Sequence, residues 1–172
     1  MLKVYSPHDL HLIREIPFSK PKEIERSLER AEKLFKDKKN HIPAWKRIEV
    51  LEKVVEIMES KRTLLAKLAA EEGGKPLVDS IVEVDRAING VKIAISYSGV
   101  ISGEQIPMGQ TKSSQNRLAF TIREPIGVVV SISAFNHPLN LIIHQTVTAI
   151  AAGCPVIIKP ALTTPLSCIE FM

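Results

Sequence analysis

The sequence predicts an α/β fold with a helical amino-terminal part, a protruding β-hairpin and the first βαβ unit of a parallel sheet. Three observations predict it. Apolar residues repeat at helical spacing through the first hundred positions, and apolar and polar residues alternate near position 120. The segment from Glu124 to Pro160 then reads as strand, turn, helix and strand. Strands that alternate with a helix in this way form parallel βαβ units.

The first twenty residues predict an extended arm. They alternate weakly between apolar and polar positions and contain two prolines, so they are expected to lie over a larger body. From Pro21 to about Lys36, apolar residues recur every three or four positions on one face, which predicts an amphipathic helix. The members of this stripe are Ile24, Leu28, Ala31 and Phe35.

Three further helices are predicted before residue 100. Pro43 suits the first turn of a helix that runs to about Ser60, and Trp45 on its apolar stripe is expected in the core. A third helix spans Thr63 to Glu72 and ends at two glycines, the usual left-handed exit from a helix. The fourth, from Pro76 to about Gly99, carries a regular stripe that could pack on a neighbouring helix or on another subunit. Its members are Leu77, Ile81, Val84, Ile88, Val91 and Ile95.

After Gly99 the composition changes to small and polar residues. Leu118, Phe120 and Ile122 then alternate with polar or small residues. This alternation predicts a protruding β-hairpin with one solvated face, whose returning strand leads directly into the βαβ segment.

The bulk composition is that of a globular protein, with 45% hydrophobic and 24% charged residues among 172. The net charge of +4 comes from lysines interleaved with glutamates, so the basic residues predict a solvated helix surface and no nucleic-acid site. The most apolar stretch, Leu139 to Ile158, contains polar residues that are costly in lipid, so no membrane span is expected. Two cysteines are too few for a disulfide scaffold, and no signal-peptide core is visible. A cytoplasmic location is therefore expected.

The carboxyl ends of the two predicted parallel strands carry the residues best suited to chemistry. In a βαβ unit these ends face the same crevice, so Asn136 and Lys159 are expected on one side of the sheet. The Asn136 carboxamide could donate to a developing oxyanion, or it could cap the helix that begins at Pro138. Lys159 could bind a ribose or a phosphate, form a Schiff base, or be an ordinary solvated lysine.

Other candidate groups give weaker signals. His137 and His144 lie seven positions apart without a third ligand, so no metal site is expected, and His144 is interpreted as a buried, hydrogen-bonded residue. Cys154 and Cys168 lie among apolar residues and are interpreted as packing residues. Thr163 and Thr164, before Pro165, could cap a helix whose amino terminus faces an anion. No glycine-rich phosphate-binding loop is present.

Taken together, these motifs resemble the NAD(P)-dependent aldehyde dehydrogenase family, and the resemblance covers essentially the whole chain. It implies a Rossmann-like cofactor sheet of which this chain holds the first βαβ unit. The motifs that carry it are Glu124-Pro125-Ile126-Gly127-Val128, Phe135-Asn136-His137-Pro138-Leu139, Ala151-Ala152-Gly153-Cys154-Pro155 and Val156-Ile157-Ile158-Lys159-Pro160-Ala161, with Gly74-Lys75-Pro76 and Glu83-Val84 further back.

The resemblance implies roles for particular residues. Asn136 matches the asparagine that helps to form the oxyanion hole for the thiohemiacetal, and Lys159 matches the lysine that contacts the adenosine ribose. Ser133, Ala134 and Phe135 would line the dinucleotide, which is NAD or NADP. Leu162 departs from the family, which often has a glutamate there that accepts from the ribose hydroxyl. A preference for NAD is therefore not implied.

The resemblance also implies how the chain is divided. Residues 1–100 would be an extended arm plus the helical part of the cofactor domain. Residues 101–124 would be the β-hairpin of the oligomerisation region, through which a homo-oligomer would form. Residues 125–172 would begin a dinucleotide-binding sheet that is incomplete.

The implied function is that of the amino-terminal portion of an enzyme that oxidises a small aldehyde to a carboxylic acid with NAD or NADP. In the family, the nucleophilic cysteine and the general-base glutamate follow the matched region, and neither Cys154 nor Cys168 matches the nucleophile. The chain by itself is therefore expected to be inactive. The alternatives are a non-catalytic oligomerisation or interaction fragment, and a lysine-dependent carbon–carbon lyase that uses Lys159.

Overall fold

A computed structural model describes residues 1–172, which form six α-helices and six short strands. The helices are α1 (Pro21–Lys36), α2 (Ala44–Ser60), α3 (Arg62–Gly73), α4 (Leu77–Tyr97), α5 (Pro138–Ala151) and α6 (Leu166–Phe171). The strands are β1 (Leu2–Tyr5), β2 (Leu12–Ile16), β3 (Gln105–Ile106), β4 (Ala119–Phe120), β5 (Val129–Ile132) and β6 (Val156–Lys159). They pair as β1–β2, β3–β4 and β5–β6, which gives three separate two-stranded sheets.

The predicted helices are confirmed, with ends that differ from the expected positions by one or two residues. The local signals fall where they were expected. Pro21 lies in the first turn of α1, and Gly74 ends α3 in the left-handed conformation with φ of 60°. Glycine adopts this conformation without the steric penalty that a Cβ would bring, which explains the sharp exit.

Helix α4 is the centre of the core, and it packs against α2, α3 and α5. Its apolar stripe therefore meets neighbours within the chain, as one of the two expectations for it required. The buried cluster also takes in the apolar faces of α2, α3 and α5. Its most deeply buried large side chains include Leu51, Leu65, Val84, Val91, Leu139, Ile143 and Val147.

The expectation that Trp45 lies in the core is wrong. Trp45 is 61% exposed, because it lies in the first turn of α2, before the point at which Leu51 begins the packed part of that helix. On α1, Ile24 and Leu28 are exposed and only Ala31 is buried. Periodicity identifies which face of a helix is apolar, but it does not say how far the neighbouring elements reach along that face.

The expected amino-terminal arm is an antiparallel hairpin formed by β1 and β2, with Leu2 opposite Ile16. Val4 on β1 is buried in a small cluster with Leu68 of α3 and Leu166 of α6. The arm is thus docked on the helical body by its own apolar cluster.

The predicted protruding hairpin is confirmed as an antiparallel pair, with Gln105 opposite Phe120 and Ile106 opposite Ala119. Each of its strands is only two residues long. Leu118, Phe120 and Ile122 are all exposed to solvent. The hairpin therefore presents a row of apolar side chains that nothing in this chain covers.

Substituting Gly103 by alanine is expected to open this hairpin. A Cβ at residue 103 would lie 1.5 Å from the backbone oxygen of Thr121, which the pairing cannot accommodate. Gly99→Ala is the matched control, because a Cβ there would meet nothing within 4 Å. Amide hydrogen exchange checks this: the Thr121 amide, which donates to Glu104 at 2.9 Å, should lose protection in Gly103→Ala and keep it in Gly99→Ala. Equal protection in both variants would contradict the close approach.

The expected βαβ unit is confirmed. Strands β5 and β6 are parallel, with Val129 opposite Val156 and Ile132 opposite Lys159, and α5 packs on both of them. None of the helices combines the length and the apolar character needed to span a bilayer.

Candidate functional site

The two strongest candidate residues lie at the same edge of the parallel pair. Ile132 and Lys159 end their strands side by side, and the Ser133 amide donates to the Lys159 carbonyl at 3.0 Å. The turn with Asn136 follows immediately. Asn136 and Lys159 are both exposed at this edge. The sheet register, and not their separation in sequence, brings the two residues to one edge of the sheet.

The turn that follows β5 is held on its strand side by side chains. Gln145 of α5 binds the end of the strand twice: its amide nitrogen donates to the Ile132 carbonyl at 3.0 Å, and its oxygen accepts from the Ile132 amide at 2.9 Å. The Ser133 hydroxyl donates across the turn to the Pro138 carbonyl, or to that of Ala134, each at 3.0 Å. The strand end and the turn therefore form one hydrogen-bonded unit.

Side chains from other parts of the chain bind the two carbonyls in the middle of the turn. The Thr164 hydroxyl donates to the Phe135 carbonyl at 2.8 Å, and the Lys75 ammonium donates to the Asn136 carbonyl at 3.3 Å. Thr164, which could have capped the next helix, does not do so: its hydroxyl ties the loop after β6 to the turn. With these bonds, the Phe135 and Asn136 carbonyls both have a protein partner.

The Asn136 side chain does not cap α5, so the capping alternative for this residue is wrong. His137 occupies the N-cap position without a side-chain bond, and the Glu83 carboxylate takes the capping role. One oxygen of Glu83 accepts from the Leu139 amide at 2.9 Å and from the Asn140 amide at 3.1 Å. The Asn136 carboxamide makes no hydrogen bond within the chain. A rigid backbone thus carries a free, exposed NH2 donor.

Two further residues hold this candidate site, Glu83 and Lys75, which the sequence identified only as parts of family motifs. The Glu83 side chain is fully buried on α4 and forms an ion pair with Lys75, and His137 Nδ1 lies 3.5 Å from the same carboxylate oxygen. A signal for this was present, because residue 83 directly precedes Val84 of the apolar stripe. A carboxylate on that side of a packed helix needs a partner in the interior.

The residues expected to contact a dinucleotide differ in how exposed they are and in which hydrogen-bonding groups they have free. Phe135 is 67% exposed and Lys159 is exposed, with an ammonium that donates only to the adjacent Pro160 carbonyl at 3.2 Å. Its remaining donors fit a hydroxyl or a phosphate. Ser133 is buried and its hydroxyl is used inside the turn, and Ala134 is half-buried. Leu162 is exposed, and its side chain has no atom that could accept a hydrogen bond from a ribose hydroxyl.

A second buried carboxylate, Glu72 of α3, lies at the amino terminus of α6. It accepts from the Leu166 amide at 2.5 Å, the Ser167 amide at 2.9 Å and the Ser167 hydroxyl at 2.6 Å. Burial raises the pKa of Glu72, although these hydrogen bonds oppose the rise. The first amides of α5 and of α6 are thus both occupied by carboxylates from the helical body.

Replacing Glu72 by glutamine is expected to flatten the pH dependence of stability. The pKa of folded Glu72 lies above its ordinary value of 4.5, so the folded chain holds this proton more tightly than the unfolded chain. The resulting stability is complete below the unfolded pKa and is lost as pH rises through the folded pKa. In urea unfolding from about pH 4 to about pH 8, the free energy of unfolding should fall more steeply for wild type than for Glu72→Gln. Parallel profiles would contradict this.

Neither cysteine is placed to act as a nucleophile. Both are buried free thiols, and burial, with a smaller effect from the Glu72 charge, raises the pKa of Cys168 to about 12. Their interpretation as packing residues is confirmed. His144, by contrast, is exposed, so its interpretation as a buried residue is wrong. It lies beside Gly90 of α4.

The family model for the aldehyde dehydrogenase family matches residues 1–172. Among curated relatives, a lactaldehyde dehydrogenase from Methanocaldococcus jannaschii is 37% identical over 169 residues, which cover 98% of this chain and 35% of that protein. A 3-sulfolactaldehyde dehydrogenase from Priestia aryabhattai is 38% identical over 132 residues, 77% of this chain and 28% of that protein. The chain therefore spans about a third of the length of these relatives.

Solved structures give the same result. A glyceraldehyde-3-phosphate dehydrogenase from M. jannaschii in complex with NADP matches with a TM-score of 0.90 and 37% identity, over 99% of this chain and 36% of that one. Aldehyde dehydrogenase 21 from Physcomitrella patens, in complex with the reaction product succinate, matches with a TM-score of 0.94 and 32% identity, over 99% and 35%. These matches extend across the helices, the hairpin and the βαβ unit alike.

Proposed function

The chain belongs to the aldehyde dehydrogenase family, and from this premise we propose that it supplies the amino-terminal portion of an enzyme that oxidises an aldehyde to a carboxylic acid with NAD or NADP. One observation carries the proposal. The Asn136 turn is held at successive backbone positions by other side chains, while the Asn136 carboxamide stays free beside the end of β6.

In this proposal Asn136 is the catalytic residue of the chain. Attack on an aldehyde carbonyl places negative charge on its oxygen, and a donor that is already in position stabilises that charge without reorganising. The Asn136 NH2 group can donate such a bond, since no group of this chain competes for it. The aldehyde oxygen, on which the negative charge develops, would therefore lie next to the Asn136 carboxamide, at the sheet edge that also carries Lys159.

The cofactor contacts come from the same edge of the sheet. When bound, NAD or NADP accepts a hydride from the substrate. Lys159 would donate to a ribose hydroxyl or to a phosphate, and the exposed Phe135 ring would lie against the dinucleotide. Ser133 and Ala134 would line it through the backbone of the turn, because the Ser133 hydroxyl is already used.

The 172-residue chain alone is proposed to have no aldehyde-oxidising activity. Both of its thiols are buried, and Cys168, with a pKa of about 12, forms almost no thiolate at neutral pH. The covalent step of the family would need a cysteine that this chain does not present at the crevice. Catalysis would then require the part of the relatives that follows the matched third of their length.

The division of the chain and its assembly follow from the same proposal. Residues 1–100 and 125–172 would belong to the cofactor domain, and residues 101–124 to an oligomerisation hairpin. The exposed row of Leu118, Phe120 and Ile122 favours a homo-oligomeric contact there. It also supports the second candidate, a non-catalytic oligomerisation fragment.

The substrate and the location are proposed on other grounds. The names of the relatives suggest a small aldehyde as substrate. The two unpaired cysteines suit the reducing cytoplasm.

The test uses a joined enzyme, in which residues 1–172 of this protein precede the carboxy-terminal two thirds of the M. jannaschii lactaldehyde dehydrogenase. Formation of NADH or NADPH with lactaldehyde is expected from the joined enzyme and not from the 172-residue chain. Lys159→Ala in the joined enzyme is expected to raise the KM for the cofactor about tenfold, as the loss of a hydrogen bond from a charged donor does. Lys67→Ala, an exposed lysine of α3, is the control and should leave that KM unchanged.

Three results would count against the proposal. An inactive joined enzyme, beside an active parent, would contradict the placement of the site. Aldehyde oxidation by the 172-residue chain alone would contradict the proposal that this chain lacks the nucleophile. An inactive chain that nonetheless forms a stable oligomer, lost in Phe120→Ser, would favour the second candidate if the joined enzyme is also inactive.

A further inference from the structure

The structure assigns a positioning role to Lys75 and Glu83, which we propose act together to fix the direction of the Asn136 side chain. The inference rests on the proposed oxyanion role of Asn136. It concerns two residues that lie far from the turn in sequence and on different elements, the loop after α3 and the buried face of α4. Both side chains bind backbone groups of the turn or of α5, so each would act through the turn.

The two residues bind the backbone at Asn136 itself and in the first turn of α5 that follows it. Before the helix, the Lys75 ammonium donates to the carbonyl of Asn136 itself at 3.3 Å. Within the first turn of α5, one Glu83 oxygen accepts from the Leu139 and Asn140 amides. The other Glu83 oxygen pairs with Lys75, so the two anchors are joined to each other. A rotation of the backbone at Asn136 would break one anchor or the other.

Burial makes this arrangement stiff. The Glu83 side chain is fully buried and that of Lys75 is 16% exposed, so the ion pair is largely shielded from water. A buried carboxylate that loses its cation or its donors is left with an uncompensated charge. The pair and the capping bonds therefore hold one geometry. The nearby His137 imidazole, 3.5 Å from the paired oxygen, is 47% exposed and lies on the open side of the cluster.

The backbone around Gly74 directs Lys75 inward. Gly74 adopts φ of 60°, and a Cβ there would lie 2.4 Å from Pro7 Cγ in the loop of the amino-terminal hairpin. The backbone at Gly74 therefore packs directly against the loop of that hairpin before α4 begins. The Lys75 side chain lies on the side of the buried Glu83 carboxylate.

The test compares kcat and KM in the joined enzyme for Lys75→Met, Lys75→Arg and Glu83→Gln. Lys75→Met keeps the apolar stem and removes the donor, and Lys75→Arg restores a cation. We expect kcat to fall about tenfold to a hundredfold in Lys75→Met and Glu83→Gln, as a small misplacement of a catalytic group does, with the KM for the cofactor unchanged. Lys75→Arg should recover part of the loss.

Glu72→Gln is the matched control, because Glu72 is the other buried carboxylate that caps a helix and it does not contact Asn136. It should change thermal stability and leave kcat unchanged. In the 172-residue chain, Leu139 and Asn140 amide exchange should quicken in Lys75→Met and Glu83→Gln only. If Glu83→Gln does not fold, Lys75→Met decides.

Wild-type kcat in Lys75→Met, or an equal loss in Glu72→Gln, would overturn the positioning role. Such a result leaves the proposed function intact as long as the joined enzyme oxidises lactaldehyde and Asn136→Ala lowers its kcat. If the joined enzyme itself is inactive, the proposed function fails. The two failures are therefore distinguishable in one set of variants.

Discussion

Asn136→Ala in the joined enzyme is expected to lower kcat by about a hundredfold to a thousandfold, the loss seen when one oxyanion-hole donor is removed. The physical reason is that the donor acts only on charge that develops during the reaction, so binding of the aldehyde and the cofactor should change little. The fold should also be unaffected, because the carboxamide makes no hydrogen bond within the chain. Steady-state kinetics with lactaldehyde and NADP, together with a thermal unfolding curve, measure both effects.

Two variants control this experiment. Asn136→Asp keeps the shape of the side chain but replaces the donor by an anionic acceptor, so it should be at least as inactive as the alanine variant. Asn89→Ala changes an exposed asparagine of α4 and should keep the wild-type kcat. A wild-type kcat in Asn136→Asp would show that the carboxamide donates nothing to the reaction.

Ile143→Ala is expected to lower the free energy of unfolding of the chain by about 2–5 kcal/mol, through lost burial and the cavity left behind. Ile143 is fully buried in the core cluster, on the helix that follows the Asn136 turn. Loosening α5 should also loosen the bonds that Glu83 makes to its first turn. Urea unfolding followed by circular dichroism gives the energy, and the slope of the transition shows whether unfolding stays cooperative.

Ile93→Ala removes the same atoms from a site on α4 that is 50% exposed. It should cost well under half as much as Ile143→Ala, because less apolar area is withdrawn from water and no closed cavity forms. Similar losses at the two positions would contradict the placement of the core between α4 and α5.

The sequence was sufficient for the elements that local chemistry specifies. The start of α1 at Pro21 and the end of α3 at Gly74 follow from conformations that those residues favour. The order of β5, α5 and β6 was also predictable, because a strand, a turn and a helix have different apolar periods. The predictions for Trp45 and His144 failed since burial depends on what packs against a helix, which its own periodicity does not contain.

The sequence by itself determined the fold class, the βαβ unit and the two candidate residues at its edge, Asn136 in the turn after β5 and Lys159 at the end of β6. It also carried the family motifs on which the functional proposal depends. Only the tertiary structure decided that Asn136 is a free donor and not a helix cap. The reason is that the capping bonds come from Glu83, more than fifty residues earlier in the chain, and the anchor on the Asn136 carbonyl comes from Lys75. Such long-range partners follow from how helices pack.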